Sequence, residues 1–122
     1  MIVIDFKDAK PIYEQVVDKF KVLIFKGILQ VDEQMPSVRS LAMELSINPN
    51  TIQKAYMELE RQGFIYSVKG RGNFVSYNDN LLNEKKNQIF QKLKELLQEA
   101  VEIGITQEEF VSYISKGANS HD

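Results

Sequence analysis

The sequence predicts a mainly α fold with one small β-hairpin, and three observations support this. Two short amphipathic helical patterns flank a tight "INP" turn at 47–49. Two β-prone runs bracket "KGRG" at 69–72 directly afterwards. The remainder carries a long apolar stripe at helical spacing and then a second helix start. Together they describe a winged helix-turn-helix domain over 1–77, followed by a short helical region over 78–122.

Residues 1–9 are expected to form a short extended arm. Pro11 suits the start of a helix, and Ile12, Val16, Phe20, Leu23 and Ile24 give it one buried face before Gly27 ends it. The stretch "ILQVDEQMP" (28–36) reads as a loop, because Pro36 disfavours helix before it. Ser37 is a good N-cap for "VRSLAMEL", with Val38, Leu41, Ala42 and Leu45 on one side.

Asn48 and Pro49 repeat the start signal two residues after that helix, and Ile52, Ala55, Tyr56 and Leu59 form the next buried stripe. Gly63 suits a left-handed helix end. Ile65–Val68 and Asn73–Tyr77 are then expected to pair as a wing. Asn78-Asp79-Asn80 reads as a linker.

Beyond it, Leu82, Ile89, Leu93, Leu96, Leu97, Ala100 and Val101 mark a long amphipathic helix over about 81–103, which Gly104 stops. Thr106 and Glu109 match a capping box and open a last helix carrying Phe110, Val111 and Ile114. The final "GANSHD" is expected to fray.

Composition narrows the function. Of 122 residues, 43% are apolar and 26% charged, which is ordinary for a globular protein. No signal-peptide pattern opens the chain, and no run reaches the length of a membrane span, so a cytoplasmic location and no membrane partner are expected. There is no Cys, and the single His, His121, sits one residue from the end, where a solvated side chain is expected. Nucleophile–base pairs and the usual zinc motifs are therefore missing, so no enzyme, metal or cofactor is expected. The net charge of −2 argues mildly against nucleic acid, but it is uneven. Residues 1–76 balance at +1 and residues 77–122 at −3, so local arrangement has to decide.

The outer face of the third helix is unusual. Opposite Ile52, at 100° per residue, lie Asn50 and Lys54, with Gln53 and Met57 to one side and Thr51 to the other. A merely solvated face would carry strong helix formers such as Glu, Lys and Ala. Asn and Gln suit adenine, Lys suits guanine or phosphate, and Thr suits phosphate or the thymine methyl. The helix start, with Asn48, is expected to add free amides for a phosphate.

Arg39, beside Ser37 and Ser40, opposes the dipole of its own helix. An outward reach to phosphate explains it; an ion pair with Glu44 or Asp32 is the alternative. Lys69 and Arg71, on a tip freed by Gly70 and Gly72, suit a minor groove, although a charged turn alone is a weak signal. The C-terminal stripe (Leu82, Ile89, Leu93, Leu96, Leu97, Ala100, Val101, Phe110 and Ile114) is expected to pack against the same region of a second chain. A small-molecule effector bound between such helices stays open as a partner, but no residues mark its site.

These segments resemble the GntR family of bacterial transcription regulators. The resemblance runs over about 10–77, through "PIYEQV" and "MPSVRSLAMELSINPNTIQKAYMELERQGFIYSVKGRGNFV". It implies a winged helix-turn-helix in which Arg39, the head of the helix at 48–54 and the glycines around Arg71 meet DNA. Many members carry Ser-Arg where this chain has Asn48-Pro49, which shifts weight to Asn50, Gln53 and Lys54. The "NPNT" start and short tail look like the YtrA-type subfamily, whose members carry a two-helix dimerisation region and often repress transporter operons. Fewer than 50 residues after the wing leave no room for a large sensor or a fused catalytic domain.

The reading is a homodimeric, sequence-specific repressor on a double-stranded, pseudo-palindromic operator. The alternative is a winged-helix protein-interaction module without specific DNA binding.

Overall fold

The computed structural model describes residues 1–119; His121 lies outside them. The elements are α1 (Ile12–Phe25), α2 (Val38–Leu45), α3 (Pro49–Arg61), β1 (Ile65–Val68), β2 (Gly72–Val75), α4 (Asp79–Glu102) and α5 (Gln107–Asn119). The chain divides into two units, Met1–Leu82 and Asn83–Asp122.

In the first unit, α1 and α2 both pack against α3. Ile52, Ala55, Tyr56 and Leu59 of α3 are at most 1% exposed, so the expected stripe is the centre of the core. Val16 and Phe20 of α1 and Leu41 of α2 pack into the same core, and Phe20 meets Tyr56 edge-on at 5.9 Å. The Tyr56 hydroxyl donates to the Pro36 carbonyl at 2.7 Å, tying α3 to the entry of α2.

Local chemistry sets the helix ends. Ser37 Oγ accepts from the Ser40 amide at 3.0 Å, and Asn48 Oδ1 accepts from the Asn50 amide at 2.8 Å. At the end of α3, Gly63 sits at φ +87°, and the Phe64 amide reaches back to the Leu59 carbonyl at 2.9 Å. Between α2 and α3, Ser46 takes the left-handed conformation, φ +55°, without being glycine.

Four expectations change. The arm turns instead of extending, because the buried Gln15 bonds both the amide and the carbonyl of Asp5, each at 2.9 Å. β2 starts at Gly72 and stops at Val75, short of Tyr77. The Tyr77 ring instead meets Phe25 edge-on at 6.0 Å.

The 28–36 stretch is the loop expected, and it lies along β2: Asp32 N–Val75 O and Met35 N–Asn73 O are 2.8 Å, and Val75 N–Glu33 O is 2.9 Å. Asn78-Asp79-Asn80 is no linker. Asn78 Oδ1 accepts from the Asn80 amide at 2.9 Å and α4 begins at Asp79. Residues 117–119 continue α5 rather than fray, and the rest of that expected frayed end, 120–122, lies outside the described residues.

In the second unit, Gly104 ends α4 at φ +86°, with the Ile105 amide bonded to the Ala100 carbonyl at 3.0 Å. The Thr106 capping box forms, its Oγ1 accepting from the Glu109 amide at 3.1 Å.

Candidate nucleic-acid interface

The α2–turn–α3 unit presents one outward surface. Asn50, Gln53 and Lys54 are exposed on α3 and Thr51 is half-buried. Among the described residues, the side chains of Asn50 and Gln53 make no hydrogen bond, so their amides face solvent with full capacity to donate and accept. Lys54 is differently placed: its Nζ lies 3.9 Å from the centroid of the Tyr13 ring, on α1. Tyr13 lines one wall of an open groove of about 570 Å³ whose other wall is the outer face of α3, including Met57 and Arg61. Burial, with Glu14 beside it, pushes the Tyr13 phenol above its usual pKa and keeps it neutral.

The start of α3 differs from expectation. Pro49 has no N–H, the Asn50 amide is bonded to Asn48 Oδ1, and the Thr51 amide is bonded to the Asn48 carbonyl at 2.9 Å. The first turn therefore offers no free amide to a phosphate. At α2 the case is reversed. The Val38 and Arg39 amides have no partner among the described residues, and the Arg39 side chain is exposed beside them. Among the described residues Arg39 forms no ion pair; Asp32 accepts from the Tyr66 hydroxyl at 2.9 Å instead.

The wing tip is a tight turn closed by the Arg71 amide on the Val68 carbonyl at 2.9 Å. Gly70, at φ +78°, takes the third position of that turn, where a side chain would be strained. Lys69 and Arg71 are exposed on it, as are Gly70 and Gly72. Gln34 donates to the Arg71 carbonyl at 2.9 Å, and a Cβ at Gly72 would stand 3.1 Å from that amide nitrogen. The loop before α2 thus braces the wing. One residue before β1 reaches the tip, the Ser67 hydroxyl donates to Glu60 of α3 at 3.0 Å.

The structure gathers Ser37, Arg39, Asn48, Asn50, Thr51, Gln53 and Lys54 on the helix-turn-helix, with Lys69 to Gly72 on the wing of the same unit. Sequence reasoning missed Tyr13 and Gln34. Both act across the fold, and neither has a local spacing signal.

A model of the bacterial regulatory proteins of the gntR family matches residues 12–75, over half of the chain. The chain belongs to the GntR family. It is 41% identical over 118 residues to the HTH-type transcriptional repressor YtrA of Bacillus subtilis (strain 168), covering 95% of this chain and 91% of that protein. Among solved structures, a GntR family transcriptional regulator from Listeria monocytogenes superposes with a TM-score of 0.75 at 36% identity, covering 91% of this chain and 98% of that one. AraR(DBD) in complex with operator ORR3 is similar over 62% of this chain and 90% of that one, at 31% identity and a TM-score of 0.53. The likeness to YtrA spans both units, so it is YtrA-like over nearly its whole length.

Among the described residues no group of three or more acidic or His side chains is placed to hold a metal. No helix of the described residues is long and apolar enough to cross a membrane.

Proposed function

We propose that this GntR-family protein is a sequence-specific transcriptional regulator, a homodimeric repressor that acts without catalysis on a pseudo-palindromic operator. The observation that carries the reading is the outer face of α3. It is exposed and hydrogen-bonding, and it is carried on a helix-turn-helix followed by a wing. Asn50, Gln53 and Lys54 read base edges in the major groove, with Thr51 and Asn48 at the groove margin. Ser37 and Arg39, at the open amino end of α2, hold a phosphate. Lys69 and Arg71 reach the neighbouring minor groove, where Gly70 and Gly72 allow close approach.

The division of labour follows the two parts, 1–77 for DNA and 78–122 for dimerisation. Ile89, Leu96, Val101 and Ile114 are 50% exposed or more, and Leu93 and Leu97 nearly two-fifths. Phe110 and Leu82 are half-buried, and Ala100 is buried under the turn that ends α4. So long an apolar face marks an interaction surface, and a second copy covers it with like against like. Two-fold symmetry then sets the half-sites about one helical turn apart, or a multiple of it.

Selection of bound duplexes from a randomised DNA pool by the full chain tests the reading. Enrichment of an inverted repeat is the expected result. A pool that stays random after repeated selection contradicts it and favours the protein-interaction module.

A further inference from the structure

The α1 helix packs against α3, and this brings Tyr13 under the side chain of Lys54, far away in sequence. The ammonium stands 3.9 Å from the ring centroid, well inside the range where the negative face of an aromatic ring attracts a cation. A ring covers one side of the ammonium and leaves N–H donors on the others. Lysine otherwise carries a long, freely rotating stem, and ordering it costs affinity when it binds. Tyr13 removes that cost in advance. Its own hydroxyl turns to Glu14 Oε1 at 3.4 Å, so the ring and not the phenol faces the cation.

We infer that Tyr13 is a positioning residue for DNA recognition: its ring seats the Lys54 ammonium in one direction, and so sets how sharply Lys54 discriminates among bases. The inference rests on the proposed role of α3. It adds a residue outside the helix-turn-helix to the determinants of specificity. Tyr13 does not touch DNA; its contribution passes through Lys54.

The test uses the full chain and a duplex recovered from a randomised pool by the wild type, with single base-pair variants of it. Tyr13→Leu is expected to weaken binding about two- to fivefold, the range of an exposed cation–π contact. It should flatten preference at the same base pair that Lys54→Ala flattens and at no other. Tyr13→Phe, which keeps the ring, should bind like the wild type. The Tyr13→Leu/Lys54→Ala double variant should bind like Lys54→Ala alone.

Because Tyr13→Leu removes core contacts, pentafluorophenylalanine at position 13 provides a second probe. It keeps the ring's shape and reverses its quadrupole, so it should behave like Tyr13→Leu.

A pentafluorinated ring that binds like Phe, additive losses in the double variant, or tighter binding by Tyr13→Leu would each overturn the inference. A loss on Tyr13→Phe equal to that on Tyr13→Leu would do so too, pointing to a direct hydroxyl contact. If Lys54→Ala leaves affinity and preference unchanged, the reading of α3 itself fails. If Lys54→Ala matters and position 13 does not, only the inference fails.

Discussion

Arg39 and Lys54 are both exposed cations on one short motif, yet their surroundings differ. Arg39 stands beside two open backbone amides, an arrangement that suits a phosphate and carries no sequence information. Lys54 sits among neutral amide side chains on α3, where base edges are read. Arg39→Ala should weaken specific and scrambled duplexes alike and lower the salt slope by about one. Lys54→Ala should cost about 1–3 kcal/mol on the specific duplex and relax preference at one position. Anisotropy titrations at several salt concentrations separate the two.

Tyr56 tests the scaffold beneath them. It is 1% exposed, and Tyr56→Phe would leave the Pro36 carbonyl without its 2.7 Å partner. That change should lower unfolding stability by about 1–2 kcal/mol in urea melts.

The helix-turn-helix is tied together at its turn, where Ser46 is held at φ +55°. Ser46→Gly relieves the left-handed strain while adding freedom to the unfolded chain, so a net gain of about 0.5 kcal/mol is expected in the same melts. At the far end of α3, hydrogen bonds from Arg61 and Gln62 hold the Glu58 carboxyl at about 2, below its ordinary 4.5. A depressed carboxylate stabilises the fold above its unfolded pKa, and that contribution is lost as pH falls from about 4.5 through about 2. Glu58→Gln should therefore flatten the stability–pH curve across that window.

The elements that could be read from sequence are those whose signals are local. Ser37, Asn48 and Thr106 cap as their types dictate, and the α3 stripe is buried as its spacing dictates. The pairing of Asp32 and Met35 with β2, and the seat of Lys54 on Tyr13, join residues far apart in sequence, where periodicity carries no information. Asn78 was legible as a cap type, but "NDN" also reads as a turn, and the helix that follows decides between them.

At the scale of the whole molecule, strong inter-helix packing lies among α1, α2 and α3, and much of the apolar face of α4 and α5 stays exposed. If a second copy covers that face, a charged pair introduced into it should undo the assembly. Leu93→Glu with Leu97→Glu should shift sedimentation from dimer to monomer. Losing the second recognition helix should also weaken operator binding by roughly a hundredfold or more.

The most direct measurement is fluorescence anisotropy on the selected duplex and a scrambled one, titrated across salt. The account predicts a preference of about a thousandfold or more, with affinity falling steeply as salt rises. Equal, salt-insensitive binding to both duplexes, or none at low salt, would contradict it.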